Sequence, residues 1–175
     1  MRLPADRVRI DRFMRSLGMA ADREGACYFT GGATAVLIGW RTSTIDIDIK
    51  LVPETDALLK AIQRIKEEVQ INVELASADL FIPVPVGWEG RSIFIQTEGG
   101  LSFYHFDPYS QVLGKLERAH EQDLGDVREM IERGLVEPAK ATTYFDEIEP
   151  DLFRFPAIDP TAFRQRVEEA FEATP

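Results

Sequence analysis

The segment "TIDIDIKLV", residues 44–52, constrains the fold more than any other part of the sequence. Isoleucine alternates along it with charged residues, and this period of two is typical of a β-strand. The pattern predicts that Ile45 and Ile47 face one way and that Asp46 and Asp48 face the other. One face of this strand is therefore dry, and the other is strongly negative.

The remaining patterns predict a mixture of strands and helices up to about residue 107 and helices after it. Apolar residues at helical spacing indicate a first helix over residues 5–18, with Gly18 as its C-cap. Two alternating runs around a glycine pair indicate a hairpin within residues 91–107. After Pro108 the pattern is helical, with a break near His120. We therefore expect an α+β fold.

Length and composition are those of an ordinary globular protein. The chain has 175 residues, of which 45% are hydrophobic and 29% charged, and it shows no repeat or linker that would divide it. We expect a single domain over residues 1–175, with a mixed-sheet core at about 20–107 and a helical part at about 108–172. The one cysteine, Cys27, is interpreted as a small buried apolar residue.

Charge and hydropathy limit the functional classes. The formal net charge of -10 argues against a general nucleic-acid coat, although it leaves room for a local basic groove. The charged N-terminus does not resemble a signal peptide, and no apolar run approaches the roughly 20 residues of a membrane helix. A cytoplasmic location without membrane contact is the expectation.

The two aspartates are the first candidates for chemistry. Residues i and i+2 of a strand project from one face with Cα atoms about 6.6 Å apart, so Asp46 and Asp48 can converge on one Mg²⁺ or on two neighbouring ions. Taken alone, the alternation also fits an edge strand whose polar face meets water.

A glycine pair stands just upstream of the aspartates. Gly31 and Gly32 follow one predicted strand and open a short apolar helix, so that backbone N–H groups would point at an approaching phosphate. A tight turn that requires positive φ explains the pair as well. Arg41 can fork onto a phosphate, and the hydroxyls of residues 42–44, Thr44 among them, can donate hydrogen bonds or simply belong to a surface loop.

These motifs together carry a family resemblance. Gly31-Gly32 followed by Asp46-Ile47-Asp48 resembles the glycine-pair and D-x-D signature of the nucleotidyltransferase superfamily typified by DNA polymerase beta. The segment "GWRTSTIDIDI" is more similar to the AbiEii-type nucleotidyltransferase toxins and to the related uncharacterised (DUF6036-like) nucleotidyltransferase domain family. A second motif of those proteins has its counterpart in Lys115, Leu116, Arg118, Asp123, Leu124 and Asp126. The resemblance covers roughly residues 28–130.

The resemblance implies a mixed-sheet nucleotidyltransferase core that uses Mg²⁺ (or Mn²⁺) and an NTP substrate. Asp46 and Asp48 would bind the metal, and the superfamily usually adds a third carboxylate, for which Glu74 is preferred to Asp79. The glycine loop would hold the phosphates while an acceptor hydroxyl attacks the α-phosphate in line.

The second motif implies further catalytic residues. Lys115 would neutralise a triphosphate oxygen, and Asp123 would orient that lysine or polarise the acceptor hydroxyl. Asp126 pairs with Arg128 or caps a helix in the simpler interpretation. His105 and His120 are expected at the surface. Asp107 is expected to cap the helix that begins at Pro108.

The implied acceptor is the 3′ end of tRNA or, as runner-up, a hydroxyl of a protein. By resemblance the chain would be a toxin with a cognate antitoxin as partner. A catalytically silent nucleotide-binding or scaffolding module with the same fold is the alternative.

Overall fold

The computed structural model describes residues 1–172, and its contacts group the chain into two compact units. The first unit comprises Met1–Ser77 and Ser92–Phe106, and the second comprises Ala78–Arg91 and the described residues from Asp107 onward. Within residues 1–172, none of the helices combines the length and apolarity that a bilayer span requires.

The first unit is built on a five-stranded mixed sheet. The strands of the whole unit are β1 (Ala5–Asp6), β2 (Gly25–Thr30), β3 (Ser43–Thr44), β4 (Asp46–Val52), β5 (Asn72–Leu75), β6 (Ile93–Glu98) and β7 (Leu101–His105). β1 and β3 form a short antiparallel ribbon, and the other five lie in the order β5-β4-β2-β7-β6. β2 pairs antiparallel with β4 and parallel with β7, while β4 pairs parallel with β5. The predicted hairpin is confirmed as β6 and β7, which pair antiparallel.

Three helices complete the first unit: α1 (Arg7–Ala20), α2 (Gly31–Ile38) and α3 (Asp56–Val69). Leu58, Ile62 and Ile65 recur at helical spacing in α3 and are buried. The helix begins after Thr55, whose hydroxyl accepts a hydrogen bond from the Leu58 amide at 3.3 Å.

The core of the first unit joins α1 and α3 to the apolar face of the sheet. Phe13, Phe29, Ile47, Ile65 and Phe103 are all completely buried. The Phe29 ring stacks on Phe103 with centroids 5.9 Å apart. Each such side chain contributes about 1.5–3 kcal/mol of transfer free energy, so this face fixes the orientation of the sheet.

Gly18 is not the C-cap that the sequence predicts. α1 continues to Ala20, and the cap residue is Ala21, whose amide donates to the Gly18 carbonyl. Gly18 instead lies against the β6–β7 turn: an added Cβ would be 2.0 Å from the Glu98 carbonyl oxygen. From the other side, a Cβ on Gly99 would be 2.3 Å from the Gly18 oxygen. A helix and a turn thus touch backbone to backbone.

The second unit is helical. Its helices are α4 (Trp88–Arg91), α5 (Pro108–Arg118), α6 (Glu121–Glu132), α7 (Pro138–Ile148) and α8 (Pro160–Glu172), with 3-10 turns at Ala78–Leu80 and Glu149–Arg154. The predicted break near His120 is confirmed, because Ala119 adopts a left-handed conformation with φ 55° and ends α5. Strands followed by helices confirm the α+β class.

Polar caps and an aromatic core order the second unit. The Asp107 carboxylate accepts from the Tyr109 amide at 3.1 Å, which confirms the predicted N-cap, and also from Arg91 at 2.8 Å. In the apolar core, the rings of Phe145 in α7 and Phe163 in α8 meet edge to face with centroids 4.9 Å apart.

Candidate active site

The aspartates lie on the polar face of β4. Ile47 and Ile49 are buried on the opposite face, whereas Asp46, Asp48 and Lys50 are half-buried. The prediction that the two carboxylates share one face is confirmed. The alternative of an edge strand is wrong, because β4 lies between β5 and β2. Contact of an edge strand with water therefore does not explain the negative face of β4.

The alternation starts one residue later than predicted. Ile45 was expected beside Ile47, but it is 77% exposed. It lies between β3 and β4, outside both strands, where the period of two does not apply.

The neighbouring strand extends the negative face. Asp46 is in register with Asn72 of β5, and Asp48 is in register with Glu74. Register partners point to the same side of a sheet from strands about 4.8 Å apart. Asp46, Asp48, Asn72 and Glu74 therefore form one polar surface, called the acidic patch below.

Asn72 organises the acidic patch. Its amide nitrogen donates to Asp46 Oδ1 at 2.7 Å and to Glu74 Oε1 at 3.1 Å. Its Oδ1 accepts from Arg2 Nη1 at 2.7 Å. Because guanidinium groups only donate and ionised carboxylates only accept, the three contacts together determine the orientation of the amide. A neutral side chain thus holds two carboxylates in place.

The glycine loop, which consists of Gly31 and Gly32, lies beside this patch. Thr30 is in register with Asp48, and Gly31 follows it with φ 58°, a left-handed conformation that favours glycine. A Cβ at Gly31 would be 3.2 Å from Asp48 Oδ2. The backbone at the start of α2 therefore lies next to the carboxylate, and a side chain there would crowd the space between them.

Gly32 faces the segment that leads into β4. A Cβ at Gly32 would be 2.0 Å from Thr44 Oγ1 and 3.4 Å from Arg41 Nη1. The Thr44 hydroxyl donates to the Asp46 carbonyl at 3.0 Å. Thr44 thus supports the turn before Asp46, and Arg41 brings its guanidinium to the glycine loop.

The N-cap residue of α2 does not cap the helix with its side chain. Thr30 occupies the N-cap position, but no hydrogen bond joins its side chain to a helix amide. Its hydroxyl donates instead to the Ala76 carbonyl at 3.4 Å. Backbone N–H groups and the helix dipole at such a terminus favour an anion.

The acidic patch does not offer a preformed three-carboxylate metal cage. Within residues 1–172, no three His, Cys, Asp or Glu side chains are arranged to hold a metal ion. Glu74 lies next to Asp48 by register, whereas Asp79 lies in a 3-10 turn of the second unit. Mg²⁺ commonly takes one or two carboxylates and completes its octahedron with water and substrate phosphates, so two aspartates beside a glycine loop suit it chemically.

The second predicted motif lies in the second unit. Lys115 of α5 donates to Asp126 Oδ2 of α6 at 2.7 Å, and its Nζ is 3.6 Å from Asp123 Oδ1. Arg118 grips Asp123 with two hydrogen bonds, at 2.8 and 2.6 Å. Asp126 therefore pairs with Lys115 and not with Arg128, because the turn at Ala119 folds α6 back along α5. These four charged residues are called the ion-pair cluster below: Lys115, Arg118, Asp123 and Asp126.

Asp123 is ionised within this cluster. Burial opposes its ionisation, but the hydrogen bonds from Arg118 and the charges of Lys115 and Arg118 outweigh that cost and hold the pKa of the carboxyl below its ordinary value. The side chains of Lys115 and Asp126 are only 8% and 3% exposed.

His105 is not at the surface, contrary to the prediction. It ends β7, is 7% exposed, and its Nδ1 lies 3.1 Å from the Thr34 hydroxyl. Burial lowers the pKa of its imidazole to about 4. His120 is exposed, as predicted, and Cys27 is buried, which raises the pKa of its thiol.

Asn72 is the residue that the sequence interpretation did not select. The signal was present, because Asn72 alternates with Glu74 along β5. Its contact with Arg2 joins positions 70 residues apart, and no local pattern indicates such a pair.

The family model for nucleotidyltransferases of unknown function (DUF6036) matches residues 7–147. The chain belongs to this family. The match includes the glycine loop, the acidic patch and the ion-pair cluster, and it confirms the resemblance to DUF6036-like nucleotidyltransferases. No curated protein and no solved structure matches the chain significantly.

Proposed function

We propose that the chain is an Mg²⁺-dependent nucleotidyltransferase that moves a nucleoside monophosphate from an NTP to a macromolecular acceptor. The proposal rests on the approach of Gly31 to Asp48, where a Cβ would lie 3.2 Å from the carboxylate oxygen. A phosphate on the N-terminal amides of α2 would therefore lie beside a metal-binding carboxylate. Family membership supports the class of reaction.

Each residue of the site has a distinct role in this proposal. The glycine-loop amides bind phosphate oxygens, and Arg41 adds a guanidinium near Gly32. Asp46 and Asp48 would hold Mg²⁺, with Glu74 as the nearby third carboxylate. When bound, Mg²⁺ offsets the negative charge that develops on the transferred phosphoryl group.

The reaction exchanges a phosphoanhydride bond for a phosphoester bond. The acceptor hydroxyl oxygen forms a bond to the α-phosphorus, the bond from that phosphorus to the bridging oxygen breaks, and pyrophosphate leaves. The hydroxyl proton is released to water. The chain contributes chiefly by positioning the phosphates and by electrostatic complementarity.

Lys115 and Asp123 keep their predicted catalytic roles as part of the proposal. Within the second unit, Asp123 would orient the Lys115 ammonium across the 3.6 Å that separates Nζ from Oδ1. Their ion-pair partners supply the rigidity that such positioning needs.

We propose the tRNA 3′ end as the first acceptor to test and a protein hydroxyl as the second. The similarity of "GWRTSTIDIDI" to AbiEii-type toxins supports the first, together with a toxin role and a cognate antitoxin. The net charge of -10 favours the second, because it opposes a polyanionic acceptor. A cytoplasmic location agrees with either acceptor.

The test is transfer of label from each α-labelled NTP, with Mg²⁺ and either total tRNA or a protein extract. We expect label in one acceptor class with wild type and a loss of at least about a thousandfold with Asp48→Asn, since that variant removes a metal ligand. Asp56→Asn, a change at an exposed position of α3, is the matched control and should transfer normally. Equal transfer by Asp48→Asn would refute the mechanism.

A catalytically silent nucleotide-binding module is the second candidate. The observation in its favour is that residues 1–172 contain no three-carboxylate metal arrangement. This module would be stabilised by Mg²⁺ and an NTP yet transfer no label, whereas the enzyme does both.

A further inference from the structure

The helix that carries the glycine loop has a single polar side chain in its buried interior. α2 reads "GGATAVLI", and Thr34 is 1% exposed among apolar neighbours. Thr34 lies three residues after Gly31, one helical turn along. Whatever holds its hydroxyl therefore also holds the first turn of the helix.

Two contacts of the Thr34 hydroxyl differ in direction. It donates to the Phe29 carbonyl at 3.2 Å, and it lies 3.1 Å from His105 Nδ1. A hydroxyl has one proton, which here goes to Phe29, so toward His105 its oxygen accepts. The proton of the second hydrogen bond must come from the imidazole.

The imidazole is in a state that can donate from Nδ1. Its pKa of about 4 keeps it neutral at neutral pH, and a neutral ring has one N–H. The contact with Thr34 assigns that proton to Nδ1 and leaves Nε2 as the acceptor.

The Phe29 carbonyl completes the arrangement. It accepts from Thr34 and also from the Phe106 amide at 2.8 Å, so both of its lone pairs are occupied. Phe29 directly precedes Thr30 and the glycine loop, and it is in register with His105. The end of β2 and the start of α2 are thus tied to the end of β7.

We propose that His105 is a positioning residue of the nucleotide site: through its Nδ1–H bond to Thr34 it holds the start of α2, and with it the phosphate-binding amides. This inference rests on the proposed function, because it assigns the glycine loop to the nucleotide. His105 does not touch the substrate in this arrangement. Its effect falls on nucleotide affinity.

Two substitutions separate the hydrogen bond from the volume of the ring. His105→Asn keeps an N–H donor close to the position of Nδ1, and His105→Leu replaces the ring with an apolar side chain. We expect the dissociation constant for Mg²⁺-NTP to rise about tenfold in His105→Leu and less than about threefold in His105→Asn. Thr34→Val should resemble His105→Leu, and the double variant should be no worse than either single variant.

Nuclear magnetic resonance gives a readout that needs neither nucleotide nor turnover. The ¹⁵N shifts of His105 should report a neutral ring protonated at Nδ1. The amide signals of Gly31 and Gly32 should move in His105→Leu and stay near their wild-type positions in His105→Asn. If wild type binds no NTP, the proposed function fails, and these amide shifts alone decide the inference about His105.

Specific results would overturn the inference. They are an Nε2-protonated ring, glycine amides that do not move in a folded His105→Leu protein, or equal losses of affinity in the Asn and Leu variants. Thermal unfolding of each variant confirms that the comparison is made between folded proteins.

Discussion

The acidic patch of the first unit and the ion-pair cluster of the second unit handle negative charge in opposite ways. In the cluster, the side chains of Asp123 and Asp126 are 5% and 3% exposed, and their carboxylates form ion pairs with Arg118 and Lys115, respectively. In the patch, Asp46 is half-buried, Glu74 is exposed, and a neutral amide bridges them. Two motifs that look alike in the sequence, each with two aspartates close together, are electrostatically different.

The difference follows from solvation. A buried carboxylate needs an internal cation, since uncompensated charge in the protein interior costs several kcal/mol. A half-exposed carboxylate keeps part of its hydration and can remain negative until a ligand arrives. The cluster therefore contains its own cations, whereas the proposed function supplies Mg²⁺ to the patch.

The largest expected effect comes from breaking the cluster. Lys115→Met should lower the free energy of unfolding by about 3–5 kcal/mol, because Asp126 would be left buried without its cation. Urea denaturation measures the change, and Lys60→Met, at an exposed position of α3, is the control. Adding Asp126→Leu to Lys115→Met should recover part of the loss. A loss below about 1 kcal/mol in the single variant would mean that the cluster is not the stabilising element described here.

His105 tests a third way to bury a titratable group, which is to lose the charge. Its pKa falls from 6.5 to about 4 on folding, so the unfolded chain binds a proton first as the pH drops. As far as His105 determines it, the free energy of unfolding has its full value above pH 6.5 and decreases as the pH falls toward 4. The integrated loss is about 3 kcal/mol. Denaturation of wild type and His105→Asn at several pH values separates the pH dependence of stability that comes from His105 from the pH dependence that comes from the carboxylates. Parallel curves for the two proteins would contradict it.

Gly32→Ala sharpens the description of the patch and its loop. The new methyl group would overlap Thr44, whose Cβ lies 2.6 Å from its position, so we expect a loss of about 2 kcal/mol and weaker NTP binding. Gly90→Ala is the matched control, because nothing lies within 4 Å of a Cβ there. Thermal unfolding and nucleotide titration measure both effects. A Gly32→Ala protein as stable as the control would show that the segment from Arg41 to Thr44 moves aside at little cost in free energy.

The smallest effect is that of Mg²⁺ on stability. An ion at ten times its dissociation constant should stabilise wild type by about 1.4 kcal/mol, and a protein with Asp46→Asn and Asp48→Asn should not respond. The measurement compares melting temperatures in MgCl₂ and in NaCl at equal ionic strength. Equal shifts in both proteins would place the ion elsewhere.

Local patterns predicted much of the fold and part of the site. The alternation in β4, the β6–β7 hairpin and the break after α5 each depend on neighbouring residues, and each is present. The glycine loop and the aspartates were also predicted to belong to one site, and Asp48 lies next to Gly31.

The misinterpreted residues depend on contacts across the chain. His105 was expected at the surface, whereas it is buried and contacts Thr34, 71 residues earlier. Asp126 was paired with a residue of its own helix, whereas its cation stands 11 residues upstream on another helix. Gly18 was interpreted by its usual role at helix ends, whereas its role here is to let a distant turn approach.

The contact between Gly18 and the β6–β7 turn has a practical consequence for labelling the protein. Hairpin tips are ordinarily good places for inserted tags or fluorophores. This tip is closed, because the backbone of α1 occupies the space in front of Gly99. Gly134, in the turn after α6, has φ 72° and nothing within 4 Å of an added Cβ, so a reporter inserted in this turn would meet less obstruction.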